Sequence, residues 1–289
     1  MTLPVIGIMG LGFLGQTLAG QGPWAPSSWG TRLERPVALP RNTCPLKMFS
    51  FDWQEPSQWK KLPAHPSSLI LTIPPICADV DQEIERLQRW GSWMNRYRPG
   101  CETLVYISTT GVYPNRDGEW HETSVFEPDS LQGKLRLATE TTLARFFSIK
   151  VIRPGAIYGN NRHIGHRILA GKPIPEGKHP VHRIHVTDLA QIVQQAVTQV
   201  SFPSPINAVD LDPAPTAEAA EWLLNQNFKM MPAGTRMTVK PGYTTRTNRR
   251  PSIHRFVSNR RLIEDCHYAF RYPTYKEGFA DAFHEPGEA

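Results

Sequence analysis

Long apolar runs are missing from this chain of 289 residues. None approaches the ~20 residues that span a bilayer, which excludes a helical membrane protein. The N-terminus lacks the basic region and small-residue cleavage site of a secretory signal, so the expectation is a cytoplasmic protein. Cysteine is sparse: Cys44, Cys77, Cys101 and Cys266 form no C-x-x-C pair, which argues against a zinc site or a disulfide framework and for reduced thiols. Helix-turn-helix, zinc-finger and RNA-binding signatures are absent, as are internal repeats and low-complexity tracts. A hydrophobic content of 40% with 8 Trp and 12 Phe excludes a disordered chain.

The net charge of +6 suggests affinity for anions, and its densest block runs from Arg246 through Arg249, Arg250 and Arg255, with Arg260 and Arg261 just beyond. The block lacks the interleaved aromatics of a single-strand platform. A solvated loop, or a clamp for a small anionic ligand, is therefore expected in place of a nucleic-acid surface. Arginine forks there would suit bidentate bonds to phosphate.

The most informative stretch is near the start. The apolar run Pro4 to Met9 breaks into glycines spaced G-x-G-x-x-G at Gly10, Gly12 and Gly15. In a dinucleotide site the first permits a tight turn, the second lets the backbone approach a pyrophosphate, and the third packs the following helix onto the strand. That helix would aim its free N–H groups at the phosphates.

Strand-like and helical patterns then alternate, which predicts an α/β chain with a doubly wound parallel sheet. Strands are expected at Val5–Met9, Ser28–Thr31, Leu46–Phe51, Ser68–Ile73, Thr103–Ser108, Lys150–Arg153 and Ile206–Asp210. Helices are expected at Phe13–Ala19, Ala78–Tyr97, Leu131–Phe147, Val186–Val200 and Thr216–Gln226. In the second of these Val80, Ile84, Leu87, Trp90 and Trp93 fall on one face, a stripe suited to a core. Prolines crowd the connections after residue 160. The expectation is a Rossmann-like dinucleotide-binding region over 1–160 and a smaller substrate lobe over 161–289, interleaved with it.

Taken in order, several segments resemble the extended short-chain dehydrogenase/reductase family in an atypical, epimerase/dehydratase-like form. They are Gly12-Phe13-Leu14-Gly15, the stretch Tyr106 to Tyr113, Ile152-Arg153-Pro154 through Tyr158-Gly159, Arg183-Ile184-His185-Val186-Thr187-Asp188, and Tyr272 to Gly278. The resemblance implies a nicotinamide dinucleotide at Gly10, Gly12, Phe13, Leu14 and Gly15. It also implies hydride transfer at a carbonyl or carbinol carbon of an anionic small molecule, possible substrates including a nucleotide sugar, with Thr109 as the hydroxyl that holds the reacting oxygen.

The departures bear on function. Aligning Glu140 with the family's glutamate puts Gln132 where the catalytic tyrosine belongs and Arg136 where its lysine belongs, so the usual proton donor is missing. Candidates to replace it are Tyr113, His163 and His166. Arg136 keeps a positive charge that could hold a ribose or phosphate. At the end of the second strand no acid stands at Ser28 to Arg32, and Thr31 and Arg32 could bond a phosphate, which favours NADP over NAD. Glu34 keeps NAD open. Asp52 resembles the adenine-contacting acid and could equally cap the helix expected from Glu55 to Leu62. His179, His182 and His185 are evenly spaced, yet no carboxylate or cysteine joins them at ligand spacing, so no metal is expected. Asp188 is expected to cap the helix beside it. A catalytically silent NADP-binding sensor or assembly protein is the competing reading.

Overall fold

A computed structural model describes residues 3–33, 46–63, 66–159, 162–169, 172–174, 178–227 and 253–281. Its strands, in chain order, are β1 (Ile6–Met9), β2 (Trp29–Arg32), β3 (Lys47–Ser50), β4 (Ser68–Leu71), β5 (Thr103–Ile107), β6 (Gly118–Trp120), β7 (Ser148–Pro154), β8 (Ala156–Tyr158), β9 (Arg183–His185), β10 (Ile206–Ala208) and β11 (Arg255–Val257). The helices are α1 (Phe13–Gln21), α2 (Val80–Tyr97), α3 (Leu131–Leu143), α4 (Ile164–Leu169), α5 (Val186–Thr198), α6 (Thr216–Asn227), α7 (Arg260–Glu264) and α8 (Tyr275–Asp281). Among the described residues no helix is long and apolar enough to cross a membrane.

Seven strands form one parallel sheet in the order β10-β7-β5-β4-β1-β2-β3. The order reverses between β1 and β4, and in such sheets ligands lie outside the carboxyl ends at that point. Short continuous apolar strands such as Ser68–Leu71 suit a sheet covered on both faces. Ile6, Ile8, Ile70, Val105 and Ile107 meet Leu14 and Leu18 of α1 and Leu189 and Val193 of α5 on one face. Met9, Leu69, Leu71, Leu104 and Tyr106 meet Leu87, Trp90 and Met94 of α2 and Leu143 of α3 on the other. Each such side chain contributes roughly 1.5–3 kcal/mol, whereas an exposed ion pair contributes about 0–1 kcal/mol. The two layers therefore dominate.

Asp79 starts α2 by accepting from the N–H groups of Asp81 and Gln82. The buried face of that helix differs from the expected stripe, because it includes Glu83 and Arg86 while Val80 and Ile84 stay half-buried. Glu83 pairs with Arg86 and accepts from Ile76 N at 3.4 Å and Cys77 N at 3.1 Å, and the Arg86 guanidinium lies 4.0 Å from the Trp53 ring centroid. A carboxylate satisfied in this way tolerates burial, and it pins the loop that follows β4. Helix α3 ends at Leu143, four residues before the expected Phe147, because i→i+3 bonds from Arg145 to Thr142 and from Phe146 to Leu143 tighten the chain before β7. The segment Pro56–Lys61 is a 3₁₀ helix, and its cap residue Glu55 makes no side-chain bond.

The second half of the chain returns to the sheet. Helix α5 packs on its face and β10 supplies its edge strand, so the stretches before and after residue 160 share one core. A lobe closes beyond it around Tyr158, Ile168, Leu223, Tyr275 and Phe279. Asp188 does not cap α5. His185 does, its Nδ1 accepting from Thr187 N at 3.2 Å. The Asp188 carboxylate instead accepts from Arg271 N at 2.8 Å, Tyr272 N at 3.0 Å and the Tyr268 hydroxyl at 2.7 Å, fastening the closing segment to the sheet. Asp210, just past β10, is 2% exposed and neither carboxyl oxygen has a hydrogen-bond partner. Burial pushes its pKa up to about 8 despite the nearby Arg183.

Candidate functional site

The three glycines form the tight turn that their spacing suggests. Gly10 has φ of +106°, a left-handed turn that a side chain would strain. A Cβ on Gly12 would meet nothing within 4 Å, so this backbone is open to a ligand. A Cβ on Gly15 would collide with the Gly10 carbonyl, which forces close packing of α1 on the turn. Thr72, after β4, donates to Gly10 O at 2.6 Å and fixes the turn from the neighbouring strand. With Gly12 as its cap residue and no acid in its first turn, α1 presents an uncompensated positive end.

This turn forms one wall of a cavity of about 300 Å³ whose other walls include Arg32, Asp52, Trp53, Thr72 and Ile73. Arg32 is half-buried at the end of β2 and makes no ion pair among the described residues. The Thr31 hydroxyl accepts from Gly10 N at 3.3 Å and is buried, so it braces the turn. Asp52 lines the cavity while its Oδ1 accepts from Gln54 N at 2.9 Å, a local turn and not the expected helix cap. Phe13 is half-buried beneath the Arg162 guanidinium, 5.4 Å from the ring centroid, and the Leu14 side chain lies in the core, leaving only its backbone for a ligand. Glu34 lies outside the described residues. The donor set fits a dinucleotide: free helix-end N–H groups, an open glycine backbone, and a cation at the strand end.

At the end of β5 a second group of residues meets. Thr109 Oγ1 accepts from Gly111 N at 3.0 Å and caps the short turn Thr110–Val112, and α3 starts against that turn because Gly133 approaches Gly111 O. Ser108 donates to Glu140 at 2.5 Å; Arg153 donates to both Glu140 oxygens, at 3.2 and 2.7 Å, and to the Tyr113 hydroxyl at 3.0 Å. Tyr113 in turn donates to Asn207 at 2.8 Å, and Asn207 donates to Ser258 O at 3.0 Å. The chain of bonds thus ties β5, α3, β7 and β10 to the segment after β11. Burial raises the Tyr113 pKa against the pull of Arg153. Its hydroxyl is committed to this framework and the side chain does not line a described cavity. Arg136 donates to Ile107 O at 2.8 Å and to the Tyr106 hydroxyl at 3.2 Å, and Gln132 is exposed.

Beside Thr109 lies a cavity of about 380 Å³ bounded by Asn115, Gly155, His179, His182, Ile253 and Arg255. Sequence reasoning singled out Thr109 and Arg255 but not the two histidines as cavity walls. What brings them there is the parallel pairing of β8 with β9 and of β6 with β11. Arg255 is half-buried, burial lowers its pKa, and it makes no ion pair among the described residues. Its hydrogen bond is to Tyr113 O at 3.4 Å. His182 Nε2 accepts from Val257 N at 3.0 Å, and burial, with Arg255 and Arg183 nearby, brings its pKa down to about 4. His163 and His166 meet edge to face elsewhere, with His163 also against Phe279, and neither lines the cavity beside Thr109. Burial and His166 lower the pKa of His163 to about 4. Arg249 and Arg250 lie outside the described residues. Arg260 and Arg261 pair with Glu264 and Asp265 one turn on. Among the described residues no group of three or more His, Cys, Asp or Glu could hold a metal.

No protein-family model matches the chain. Over 88 residues it is 31% identical to Protein YeeZ of Escherichia coli (strain K12), a match spanning 30% of this chain and only 32% of that relative. Solved structures align over nearly all of it. A functionally unknown conserved protein from Silicibacter pomeroyi DSS superposes with a TM-score of 0.74 at 21% identity, covering 97% of this chain and 100% of that one. UDP-glucuronic acid 4-epimerase from Bacillus cereus, in complex with NAD, gives 0.70 at 14% identity over 95% of each chain. The human epimerase family protein SDR39U1, with NADPH, gives 0.68 at 15% identity, covering 96% and 99%. From the strand order, the glycine turn and these superpositions, the chain has a Rossmann-like fold, the fold shared by the solved epimerase structures on which it superposes.

Proposed function

We propose that the protein is an NADP-preferring oxidoreductase or epimerase-type enzyme acting on a carbonyl or carbinol of an anionic small molecule. The observation that carries this reading is the glycine turn, with Gly12 open to a ligand at the wall of a cavity that also holds Arg32. A nicotinamide dinucleotide bound there supplies hydride transfer. Arg32 would bond the extra phosphate of NADP, the N–H groups of Phe13 and Leu14 the pyrophosphate, and Asp52 the adenosine end. Arg136 holds the end of β5 in place, and Thr109 offers a hydroxyl to a substrate oxygen. Arg255, a half-buried guanidinium without an ion partner among the described residues, attracts the anionic part of the substrate, because such a charge is costly until paired. The neighbours solved with NAD and with NADPH support a cofactor of this type, and the UDP-glucuronic acid 4-epimerase supports a sugar nucleotide as one substrate to try. Among the described residues Cys77, Cys101 and Cys266 are free thiols, which suits a cytoplasmic setting.

Isothermal titration is expected to show NADPH binding about 10- to 100-fold tighter than NADH, the worth of one charge-assisted bond. Arg32→Glu should abolish or invert the preference. Equal affinities in the wild type would remove the NADP assignment while leaving a dinucleotide site.

A catalytically silent NADP-binding protein is the second reading, favoured by one observation: the lysine position holds Arg136, which is bonded to Ile107 and Tyr106, and the tyrosine position holds an exposed glutamine. Tight NADPH binding with no exchange of hydrogen at the nicotinamide would favour it.

A further inference from the structure

We propose that the cavity beside Thr109 receives a carboxylate on Arg255, and that His179 and His182 position this arginine by gripping its strand on either side of it. The proposal rests on the oxidoreductase reading above and names the class of its substrate, a small organic acid that carries a carbonyl or carbinol.

The chemistry of the walls points to an anion. Among the described residues the polar side chains around the cavity are those of Thr109, Thr110, Asn115, His179, His182 and Arg255, with no aspartate or glutamate. Thr109 Oγ1 already accepts from Gly111 N at 3.0 Å, so its hydroxyl proton is free for a ligand oxygen. Arg255 gives one of its N–H groups to Tyr113 O at 3.4 Å. Burial lowers its pKa, and no neighbouring carboxylate restores it. A half-buried charge in that state gains most from a ligand of opposite sign. One guanidinium balances one negative charge, and its planar fork matches the two oxygens of a carboxylate. A phosphate dianion would bring a second negative charge, for which the described walls hold no further cation.

The two histidines account for how the guanidinium is held. Ile253 and Val257 stand two places before and after Arg255, so their N–H groups leave the extended chain on the same edge. Ile253 N donates to His179 Nδ1 at 2.7 Å, and Val257 N donates to His182 Nε2 at 3.0 Å. Both rings are acceptors here. His182 stays neutral down to about pH 4, because burial and the charges of Arg255 and Arg183 oppose its proton. From the other edge, His254 N donates to Asp117 Oδ1 at 2.7 Å and Gly118 N donates to His254 O at 3.2 Å. The strand is thus gripped from both sides around the residue that carries the charge. Strand β11 has three residues and pairs with β6 alone, so the two rings supply bonds that a second neighbouring strand would otherwise make.

The Nε–H signal of Arg255 in nitrogen-15 NMR, identified by its loss in Arg255→Met, reports on the site directly. The protein is titrated, with and without bound NADP, with pyruvate, 2-oxoglutarate, inorganic phosphate and pyruvamide, the uncharged counterpart of pyruvate. The two acids should shift the Arg255 signal and bind about 10- to 100-fold tighter than pyruvamide. Arg255→Met should lose that preference while binding NADPH as the wild type does. For the histidines, the side-chain oxygen of asparagine falls where Nδ1 stands and that of glutamine where Nε2 stands. His179→Asn and His182→Gln should therefore keep the preference, and the exchanged pair, His179→Gln and His182→Asn, should lose it with NADPH affinity unchanged. Equal affinities for pyruvate and pyruvamide overturn the proposal, as does tighter binding of phosphate than of either acid. An unchanged preference in Arg255→Met overturns it too, and like behaviour of the matched and exchanged variants overturns the part given to the histidines. A wild type that prefers the acids but binds no NADPH sinks the oxidoreductase reading alone.

Discussion

Asp210→Asn is expected to stabilise the protein, by up to about 4 kcal/mol at pH 7. The buried carboxyl keeps its proton up to about pH 8, whereas an unfolded aspartate releases it near its ordinary value of 3.8. Between those two limits the native state binds more protons than the unfolded state, so stability falls as pH rises through roughly 4 to 8 and levels off beyond. An asparagine has the same shape and no proton to lose, and it faces the same shortage of partners as the protonated acid. The gain should therefore be near zero at pH 4 and largest at pH 8. Urea unfolding of both proteins at pH 4.5, 6 and 8 measures it; parallel curves at all three values would mean that the carboxyl is relieved by a neighbour after all.

The second large effect has the opposite sign. Arg153→Met should cost about 3–5 kcal/mol, because Glu140 would remain as a buried charge without its partner. Tyr113 would also lose the donor that turns its hydroxyl toward Asn207. Total stabilities of about 5–15 kcal/mol are usual, so a loss of that size moves the urea midpoint by a large fraction. Replacing both charges, as in Glu140→Leu/Arg153→Met, should recover part of it, since no charge is then stranded. A single variant that unfolds within about 1 kcal/mol of the wild type would show the pair to be solvated in solution.

Local rules made part of this molecule readable. Gly10, Gly12 and Gly15 act within six residues of one another, so their spacing alone carries their geometry. The parallel strands announce themselves as short apolar runs between turn residues, and their ends moved by only one or two positions in most cases. Other features depend on residues far apart in the chain. Strand β6 pairs with β11, Gly118 opposite Arg255, and both strands are three residues long, too short for any periodicity to register. Glu83, Arg86, Glu140, Arg153 and Asp210 are of types found at surfaces, and nothing nearby in sequence marks them as buried. His179 and His182 did stand out by their spacing, but that spacing raised a question about metals. Only the fold brings Ile253 and Val257 beside them, and the two rings accept from the N–H groups of those residues. Conversely Tyr113 sits at a motif position that suggested chemistry, and its hydroxyl turns inward.

The seventh strand has a consequence for synthesis on the ribosome. When residues up to 160 have emerged, β1 to β5 and β7 are available to pair, but the outer edge of β7 waits for β10, whose Ile206 and Ala208 sit opposite Ile152 and Pro154. Lys150 waits as well, since its ammonium finds Ala196 O at 2.8 Å and Gln199 O at 2.6 Å only after α5 and the turn beyond it exist. For the time needed to translate about fifty more residues, a few seconds at ordinary elongation rates, the nascent sheet carries an open hydrophobic edge. Such edges recruit other strands, so this interval is when the growing chain is most open to pairing with the wrong strand.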